Sequence, residues 1–211
     1  MKTCVMVLAL LWPAGLAAQD VVIAALGDSL TQGYGLPAEA GFVPQLQSWL
    51  TEHGADVRLI NAGVSGDTTA GGLSRVAWTL TPDVDAVIVT LGGNDLLRGI
   101  DPAVSRANLD GILSAAAAAD VEVLLVGMQA PGNYGPAYKQ SFDAIYPELA
   151  ADYDALYAES FFEGLGGATV DPGSVQPFMQ PDGIHPNADG VARIVQGLGP
   201  HVLDLIERVE E

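Results

Sequence analysis

Four short polar clusters contain residue types that support nucleophilic catalysis. They are GDSLT at 27–31, NAGVSGD at 61–67, LGGND at 91–95 and DGIHPN at 182–187. Ser29 can act as a nucleophile if a base lies nearby. Asp182 and His185 are three residues apart in a Gly/Pro-containing turn, so their side chains can project to the same side. The carboxylate can then orient the imidazole as that base.

Each cluster also has an ordinary structural interpretation. Ser and Asp at a strand end often cap the following helix, and Thr31 departs from the G-x-S-x-G pattern of common hydrolases. Gly66 either lets a backbone N–H approach a substrate oxygen closely or simply forms a turn. Asn94 either donates its amide N–H to an oxyanion or makes an Asx turn. No single cluster therefore decides the chemistry.

Apolar runs and amphipathic stretches alternate after residue 20, which predicts repeated strand–helix units. Strands are predicted at 21–26, 56–61, 84–91 and 121–127, with a weak fifth strand near 160–170. Helices are predicted at 41–53, 69–80, 101–119 and 138–158, and in a C-terminal stretch containing an apolar stripe from 191 to 206. We expect Pro147 to break or kink the fourth of these helices.

Repeated βα units predict an α/β protein with a parallel sheet covered by helices on both faces. In such sheets, ligands bind beyond the carboxyl ends of the strands. The first three polar clusters follow predicted strands, and the fourth precedes the last helix. We therefore expect the catalytic candidates to meet at that edge of the sheet.

Composition and charge limit the possible partners. The 211 residues include 8 Lys and Arg against 26 Asp and Glu, which gives a net charge of −18. A chain this acidic is not attracted to nucleic acid or to anionic membrane surfaces. A single cysteine, Cys4, excludes a disulfide framework.

The N-terminus has the pattern of a secretory signal peptide. Lys2 precedes an apolar run over 3–16, and small residues follow at Ala17 and Ala18. The run contains Pro13 and is shorter than the roughly 20 residues that a membrane span needs. We predict a leader over 1–18, cleaved after Ala17 or Ala18, and therefore a secreted protein.

In their order along the chain, the four clusters resemble the four blocks of the SGNH (GDSL) hydrolase family. Longer segments resemble its branch of bacterial periplasmic thioesterase I/lysophospholipase L1 and arylesterases. These are GDSLTQGYG (27–35), SGDTT (65–69), LGGNDLLRG (91–99), PGNYG (131–135) and AIYPELA (144–150). The similarity covers roughly residues 21–207 and is loose between 163 and 180.

This resemblance implies a flavodoxin-like three-layer α/β/α sandwich, with residues 19–211 as one domain. It makes Ser29 the nucleophile, His185 the general base and Asp182 the residue that orients it. The oxyanion hole would consist of the backbone N–H groups of Ser29 and Gly66 and the side chain of Asn94. The implied reaction needs no metal or organic cofactor, and its substrate is a small aryl, lysophospholipid or thio-ester. The resemblance further suggests a periplasmic protein, which we expect to be a monomer.

We expect an apolar pocket for the acyl group near these residues. The main candidates to line it are Leu30, Leu97, Tyr134, Phe178 and Met179, with Ile100 and Tyr138 as further candidates, and two or three of the set should do so. Because the surface is negatively charged, we predict a neutral or zwitterionic ester as the substrate.

Two functions of other classes use the same residues. A metal-dependent phosphohydrolase would use as ligands Asp28, Asp67, Asp95, Asp182 and His185. A non-catalytic lipid- or solute-binding protein would use the same crevice without turnover. The remaining histidines, His53 and His201, fall on predicted helices and are expected at ordinary surface positions.

Overall fold

A computed structural model describes residues 21–166 and 172–211, and the predicted leader lies outside them. Within these residues, five parallel strands form one sheet in the order β2-β1-β3-β4-β5. The strands are β1 (Val21–Gly27), β2 (Val57–Gly63), β3 (Ala86–Thr90), β4 (Glu122–Val126) and β5 (Leu156–Ala158). This is the flavodoxin-like strand order, which places a ligand crevice beside β1 and β3.

The α-helices of the described residues complete the outer layers. They are α1 (Ser29–Gln32), α2 (Phe42–Glu52), α3 (Thr69–Thr79), α4 (Gly93–Arg98), α5 (Pro102–Ala118), α6 (Pro136–Asp143), α7 (Ile145–Asp152), α8 (Pro172–Val175) and α9 (Ala188–Glu210). Helices α2 and α9 pack together in one layer, and α3 and α5 pack together in the other. The predicted α/β/α sandwich is therefore confirmed.

The sheet and the long helices enclose an apolar core because their sequence periods match the layers. Every residue of β1 and β3 is buried, as expected for strands covered on both faces. The predicted stripe of α9 from Val191 to Ile206 is buried against the sheet and α2. No helix in the described part of the chain is both long and apolar enough to cross a membrane.

Two secondary-structure predictions need correction. The fifth strand lies at Leu156–Ala158 and spans only three residues, so its predicted position near 160–170 is wrong over 160–166, while 167–170 lie outside the described residues. Within 160–166, Phe161 and Leu165 are buried from a turn and a short 3-10 helix instead of an extended strand.

The helix predicted over 138–158 is wrong at its end, because α7 stops at Asp152 and Leu156–Ala158 form β5. The rest of the range is two helices, α6 and α7, which meet at Ala144. Pro147 is the third residue of α7, so its missing N–H falls in the first turn, where a helix does not need that donor. The predicted break is present just before the proline.

The carboxyl ends of the three strands nearest the crevice are level. Gly27, the last residue of β1, pairs with Gly63 of β2 and with Thr90 of β3. The loops that follow these strands therefore begin side by side, although they lie far apart in the sequence. This register brings the first three polar clusters to one edge of the sheet.

Candidate active site

Ser29 is the first residue of α1, directly after β1. Helix capping at this point is done by Asp28, whose Oδ1 accepts a hydrogen bond of 3.0 Å from the N–H of Leu30. The Ser29 hydroxyl is thus not needed as a cap and instead lies 2.8 Å from Nε2 of His185. Of the two roles considered for this cluster, helix capping thus belongs to Asp28, and contact with the candidate base belongs to Ser29.

His185 and Asp182 lie in one tight turn before α9 and contact each other directly. Asp182 Oδ2 is 2.7 Å from His185 Nδ1, and Oδ1 accepts from the backbone N–H groups of Ile184 and His185. The hydrogen bond from the His185 side chain, followed by those from the backbone, lowers the pKa of Asp182 to about 2. An ionised carboxylate only accepts, so Nδ1 carries the hydrogen and Nε2 accepts from the Ser29 hydroxyl.

The turn is held against the Ser29 side of the crevice by Gln180. Its backbone N–H donates to the carbonyl of His185 at 2.7 Å, and its side-chain amide donates to the carbonyls of Tyr34 and Pro186. The ring of Tyr34 lies 4.7 Å from the His185 ring, centroid to centroid. The sequence assigns no role to Gln180 or Tyr34, because only the fold shows that the two segments touch.

The loop after β2 and the start of α4 contain the two other candidate oxyanion donors. Gly66 has φ of 83°, a left-handed conformation that glycine adopts without strain. Asn94 donates from Nδ2 to Oδ2 of Asp28 at 3.1 Å, which leaves its second N–H for another acceptor. Both residues line the same cavity as Ser29 and His185.

Asp28 is almost completely buried, and it orients Asn94 while it caps α1. Burial is the main cause that raises the pKa of its carboxyl, although the hydrogen bonds from Leu30 and Asn94 act in the opposite direction. Asp28 thus connects the segment of the nucleophile to the segment of Asn94.

The glycines before Asn94 allow the chain to pass close to α7. Gly92 has φ of 116°, and a Cβ at this position would collide with the hydroxyl of Tyr146. That hydroxyl donates to the carbonyl of Leu91 at 2.9 Å. Burial raises the pKa of Tyr146 well above its ordinary value, so the group stays a neutral donor. The buried Tyr146 therefore fixes the position of the backbone just before α4.

The five residues considered as metal ligands do not form one cluster. Asp95 is buried and accepts from the backbone N–H and hydroxyl of Thr69 and from the hydroxyl of Ser105. Asp67 forms an ion pair with Arg75 at 2.7 Å. Among residues 21–166 and 172–211, no group of three or more His, Cys, Asp or Glu side chains is arranged to hold a metal ion. Asp67 and Asp95 thus have structural partners.

A cavity of about 920 Å³ opens beside Ser29. Its lining includes four of the predicted residues, one more than the two or three expected: Leu30, Leu97, Tyr134 and Met179. Apolar lining also comes from residues that the sequence did not suggest, namely Met128, Phe162, Leu165, Val175 and Ile184. These come from segments widely separated in the chain, so no local pattern identifies them.

Three candidates for the cavity lie elsewhere. Phe178 does not line it, because its ring packs against the guanidinium of Arg193 with 4.0 Å from Cζ to the ring centroid. Ile100 and Tyr138 are also absent from the lining, and the Tyr138 hydroxyl donates to the Ile100 carbonyl at 2.8 Å.

Comparisons with known proteins agree with this geometry. A family model described as "GDSL-like Lipase/Acylhydrolase family" matches residues 25–193. The chain is 40% identical over 191 residues to Esterase TesA of Pseudomonas aeruginosa, with 90% of each chain covered. It is 36% identical over 193 residues to "Thioesterase 1/protease 1/lysophospholipase L1" of Escherichia coli K12, covering 90% of this chain and 86% of that protein.

Solved structures give the same result. A crystal structure of TesA matches with a TM-score of 0.78 at 39% identity, over 87% of this chain and 99% of that one. A psychrotrophic esterase, EstA of a Pseudoalteromonas species, whose structure is described as inhibited by monoethylphosphonate, matches with a TM-score of 0.76 at 31% identity. That match covers 90% of this chain and 98% of the other.

Proposed function

Since the chain belongs to the GDSL-like lipase/acylhydrolase family, we propose that it hydrolyses acyl esters through Ser29, His185, Asp182 and a covalent acyl-enzyme. The family assignment confirms the predicted enzyme class, a carboxylic ester hydrolase. The observation that carries the proposed mechanism is the continuous contact from Asp182 through His185 to Ser29, at 2.7 and 2.8 Å. A nucleophile, a base and a group that orients the base are the parts that nucleophilic catalysis requires.

In the first step, Ser29 Oγ attacks the acyl carbonyl carbon while Nε2 of His185 takes the hydroxyl proton. The carbonyl oxygen becomes an oxyanion, which accepts hydrogen bonds from the backbone N–H groups of Ser29 and Gly66 and from Nδ2 of Asn94. The carbon–oxygen bond to the alcohol then breaks, and the imidazolium returns its proton to the leaving oxygen. Asp182 stabilises the imidazolium without taking a proton, consistent with its pKa of about 2.

Water completes the cycle by the same route in reverse. His185 takes a proton from water as the water oxygen attacks the acyl carbon on Ser29. The same donors stabilise the second tetrahedral intermediate. The ester bond to Oγ then breaks, the carboxylic acid leaves, and the proton on Nε2 returns to Oγ. No step in this sequence needs an additional redox partner or cofactor.

The apolar lining of the cavity supports an acyl chain as its occupant. Aliphatic and thioether side chains from Leu30, Leu165 and Met179 offer little besides apolar contact. We propose an uncharged or zwitterionic ester as substrate, since the chain has a net charge of −18 and repels anionic surfaces. An aryl ester, a lysophospholipid and a thioester all meet this description at the acyl end.

The setting that we propose is a secreted, periplasmic enzyme that acts as a monomer. The leader-like sequence over 1–18 supports secretion. All five residues assigned to the reaction belong to one chain, so the proposed mechanism needs no second copy: Ser29, Gly66, Asn94, Asp182 and His185.

Hydrolysis of p-nitrophenyl esters by the wild type and by Ser29→Ala tests the mechanism. We expect the substitution to reduce kcat by about 10⁴-fold or more, as loss of a triad nucleophile does. Ser48→Ala, on the exposed side of α2, is the matched control and should keep the wild-type rate. A Ser29→Ala variant as fast as the wild type would refute the mechanism.

The same experiment separates the two other functions. Addition of a chelator should leave the wild-type rate unchanged. A chelator-sensitive rate that survives Ser29→Ala would instead indicate a metal-dependent phosphohydrolase. Ligand binding by the wild type without any turnover would indicate a lipid- or solute-binding protein.

A further inference from the structure

One arginine of α3 holds together the backbone on which two of the proposed oxyanion donors depend. Arg75 Nη2 donates to the carbonyl of Gly27 at 2.8 Å, and Nη1 donates to the carbonyl of Ala62 at 2.7 Å. Its Nε donates to Asp67 Oδ2, also at 2.7 Å. All three guanidinium nitrogens are thus occupied, each by a different segment of chain.

These acceptors flank two of the proposed oxyanion donors in the sequence. Gly27 ends β1 two residues before Ser29, while Ala62, in β2, and Asp67, in the loop after β2, lie on either side of Gly66. Because β1 and β2 pair in parallel with Gly27 opposite Gly63, the two strand ends are adjacent. The guanidinium of Arg75 therefore connects the backbone next to the Ser29 N–H with the backbone next to the Gly66 N–H.

The side chains of the Asp67–Arg75 ion pair are less exposed to solvent than those of an ion pair on the surface. The side chains of Asp67 and Arg75 are 19% and 21% exposed, compared with 60% and 53% for the Asp83–Arg58 pair. Partial burial strengthens a charge-assisted hydrogen bond by reducing solvent screening.

Local packing also fixes the direction of the Asp67 carboxylate. It lies against the first turn of α3 at Gly71, where any Cβ would collide with it. Thr68 caps the same turn by accepting from the N–H of Gly71. Arg75 is one turn further along α3 and reaches back to the carboxylate. The loop containing Gly66 is therefore attached to α3 by both a cap and an ion pair.

We propose that Arg75 is a positioning residue that fixes the Gly66 N–H relative to the Ser29 N–H for stabilisation of the oxyanion. The inference rests on the proposed function, because it assigns Arg75 a role in the same reaction. Donors stabilise an oxyanion only when they lie at hydrogen-bond distance from its position in the transition state. The left-handed backbone at Gly66 has no side chain of its own to keep it in place. Arg98 Nη2 donates to its carbonyl at 2.8 Å, and the contacts of Arg75 fix the two ends of the segment that contains it.

Arg75→Met tests this role, because it keeps an unbranched apolar chain in place of the aliphatic part of the arginine and removes all three hydrogen bonds. We expect kcat for p-nitrophenyl esters to fall about 10- to 100-fold, the loss expected when a group in a site is displaced by about 1 Å. The KM should change less than about 3-fold, because the acyl cavity is left intact. Affinity for a reversible tetrahedral analogue, an alkyl boronic acid, should fall by about the same factor as kcat.

Arg75→Lys should recover only part of the rate, since a single ammonium does not reproduce the three-point fork. Val76→Ala is the matched structural control. Val76 is the neighbouring buried residue of α3, so its truncation destabilises the same helix without touching the loops. At equal thermal destabilisation, Val76→Ala should keep the wild-type kcat and boronate affinity.

Two results would overturn the inference. One is an Arg75→Met variant whose kcat and boronate affinity stay within about 3-fold of the wild type. The other is a Val76→Ala variant that loses as much kcat as Arg75→Met at matched stability. Ser29→Ala distinguishes this failure from failure of the proposed function. If Ser29→Ala is inactive while Arg75→Met is normal, only the role of Arg75 is wrong, whereas an active Ser29→Ala refutes the proposed mechanism itself.

Discussion

Replacing Asn94 by alanine should separate the chemistry of the site from its stability. The Nδ2 group donates one hydrogen to Asp28 Oδ2 at 3.1 Å and has a second N–H for the oxyanion. Loss of one oxyanion donor typically raises the barrier by about 2.7–4 kcal/mol, which corresponds to about 100- to 1000-fold in kcat. Because the ground-state ester makes little use of this donor, we expect KM to change far less than kcat.

The same substitution leaves Asp28 without one of its two described hydrogen bonds. Asp28 is only 1% exposed, so water cannot easily replace the amide. A buried acceptor without its partner costs about 1–3 kcal/mol. We therefore expect Asn94→Ala to lower the free energy of unfolding by about that amount, without loss of the fold.

Steady-state kinetics on p-nitrophenyl butyrate and urea unfolding give the two quantities separately. Asn133→Ala is the matched control, since Asn133 also lines the cavity but comes from the exposed loop before α6. It should keep kcat within about 3-fold of the wild type. A kcat for Asn94→Ala within that same range would show that the amide does not stabilise the oxyanion.

Three further predictions concern the supports of the site and its cavity. Asp95→Ala should reduce the free energy of unfolding, measured in urea, by at least about 3 kcal/mol, because three buried donors lose their acceptor at about 1 kcal/mol or more each. Asp204→Ala, at an exposed position, should change the same quantity by less than about 0.5 kcal/mol. Equal losses in the two variants would contradict the assignment. The pKa of Asp182 is lowered to about 2, so its stabilising contribution is complete above its unfolded value near 3.9 and is lost as the pH falls through about 2. The difference in Tm between wild type and Asp182→Asn should accordingly be present at pH 5 and vanish between about pH 4 and pH 2; a difference that is already gone at pH 5 would show that another group is responsible. Each methylene of the substrate that is buried in the cavity adds about 0.8 kcal/mol of binding free energy, so kcat/KM should rise by up to about 15-fold from the butyrate to the hexanoate ester. A maximum of kcat/KM at the acetate ester would be inconsistent with an apolar acyl site.

Residues on the continuous strands and the final helix could be predicted because their patterns are local. The continuously buried β1 and β3 and the stripe of α9 each follow from the pattern of one element. The juxtaposition of Ser29 with His185 followed from the family's motif order, although 156 residues separate them. In these cases the signal lies either within one strand or helix or within a motif of the family.

What the sequence could not indicate depends on contacts between distant segments. Phe161 and Leu165 are as apolar as strand residues, yet their burial comes from a turn and a 3-10 helix. Phe178 was as plausible a cavity residue as Met179, but it packs against Arg193 from the following helix. An apolar residue in an irregular segment predicts burial, and only the fold determines what it is buried against.

The acidic residues of the motifs show how function and fold share the same sequence. The sequence allows Asp28, Asp67 and Asp95 as metal ligands, because carboxylates close to a crevice favour a cation. In the structure each accepts hydrogen bonds from protein donors: Asp28 from Asn94, Asp67 from Arg75, and Asp95 from Thr69 and Ser105. Their shared property is attachment of one strand-end loop to another segment. A buried or half-buried carboxylate is suited to this task because it accepts several hydrogen bonds at once. The residues beside Ser29, Gly66 and Asn94 are thus acidic because these positions need acceptors for hydrogen bonds from neighbouring segments. Each donor or nucleophile lies on a segment that begins just after a strand, and each segment needs an attachment that keeps it within reach of the others.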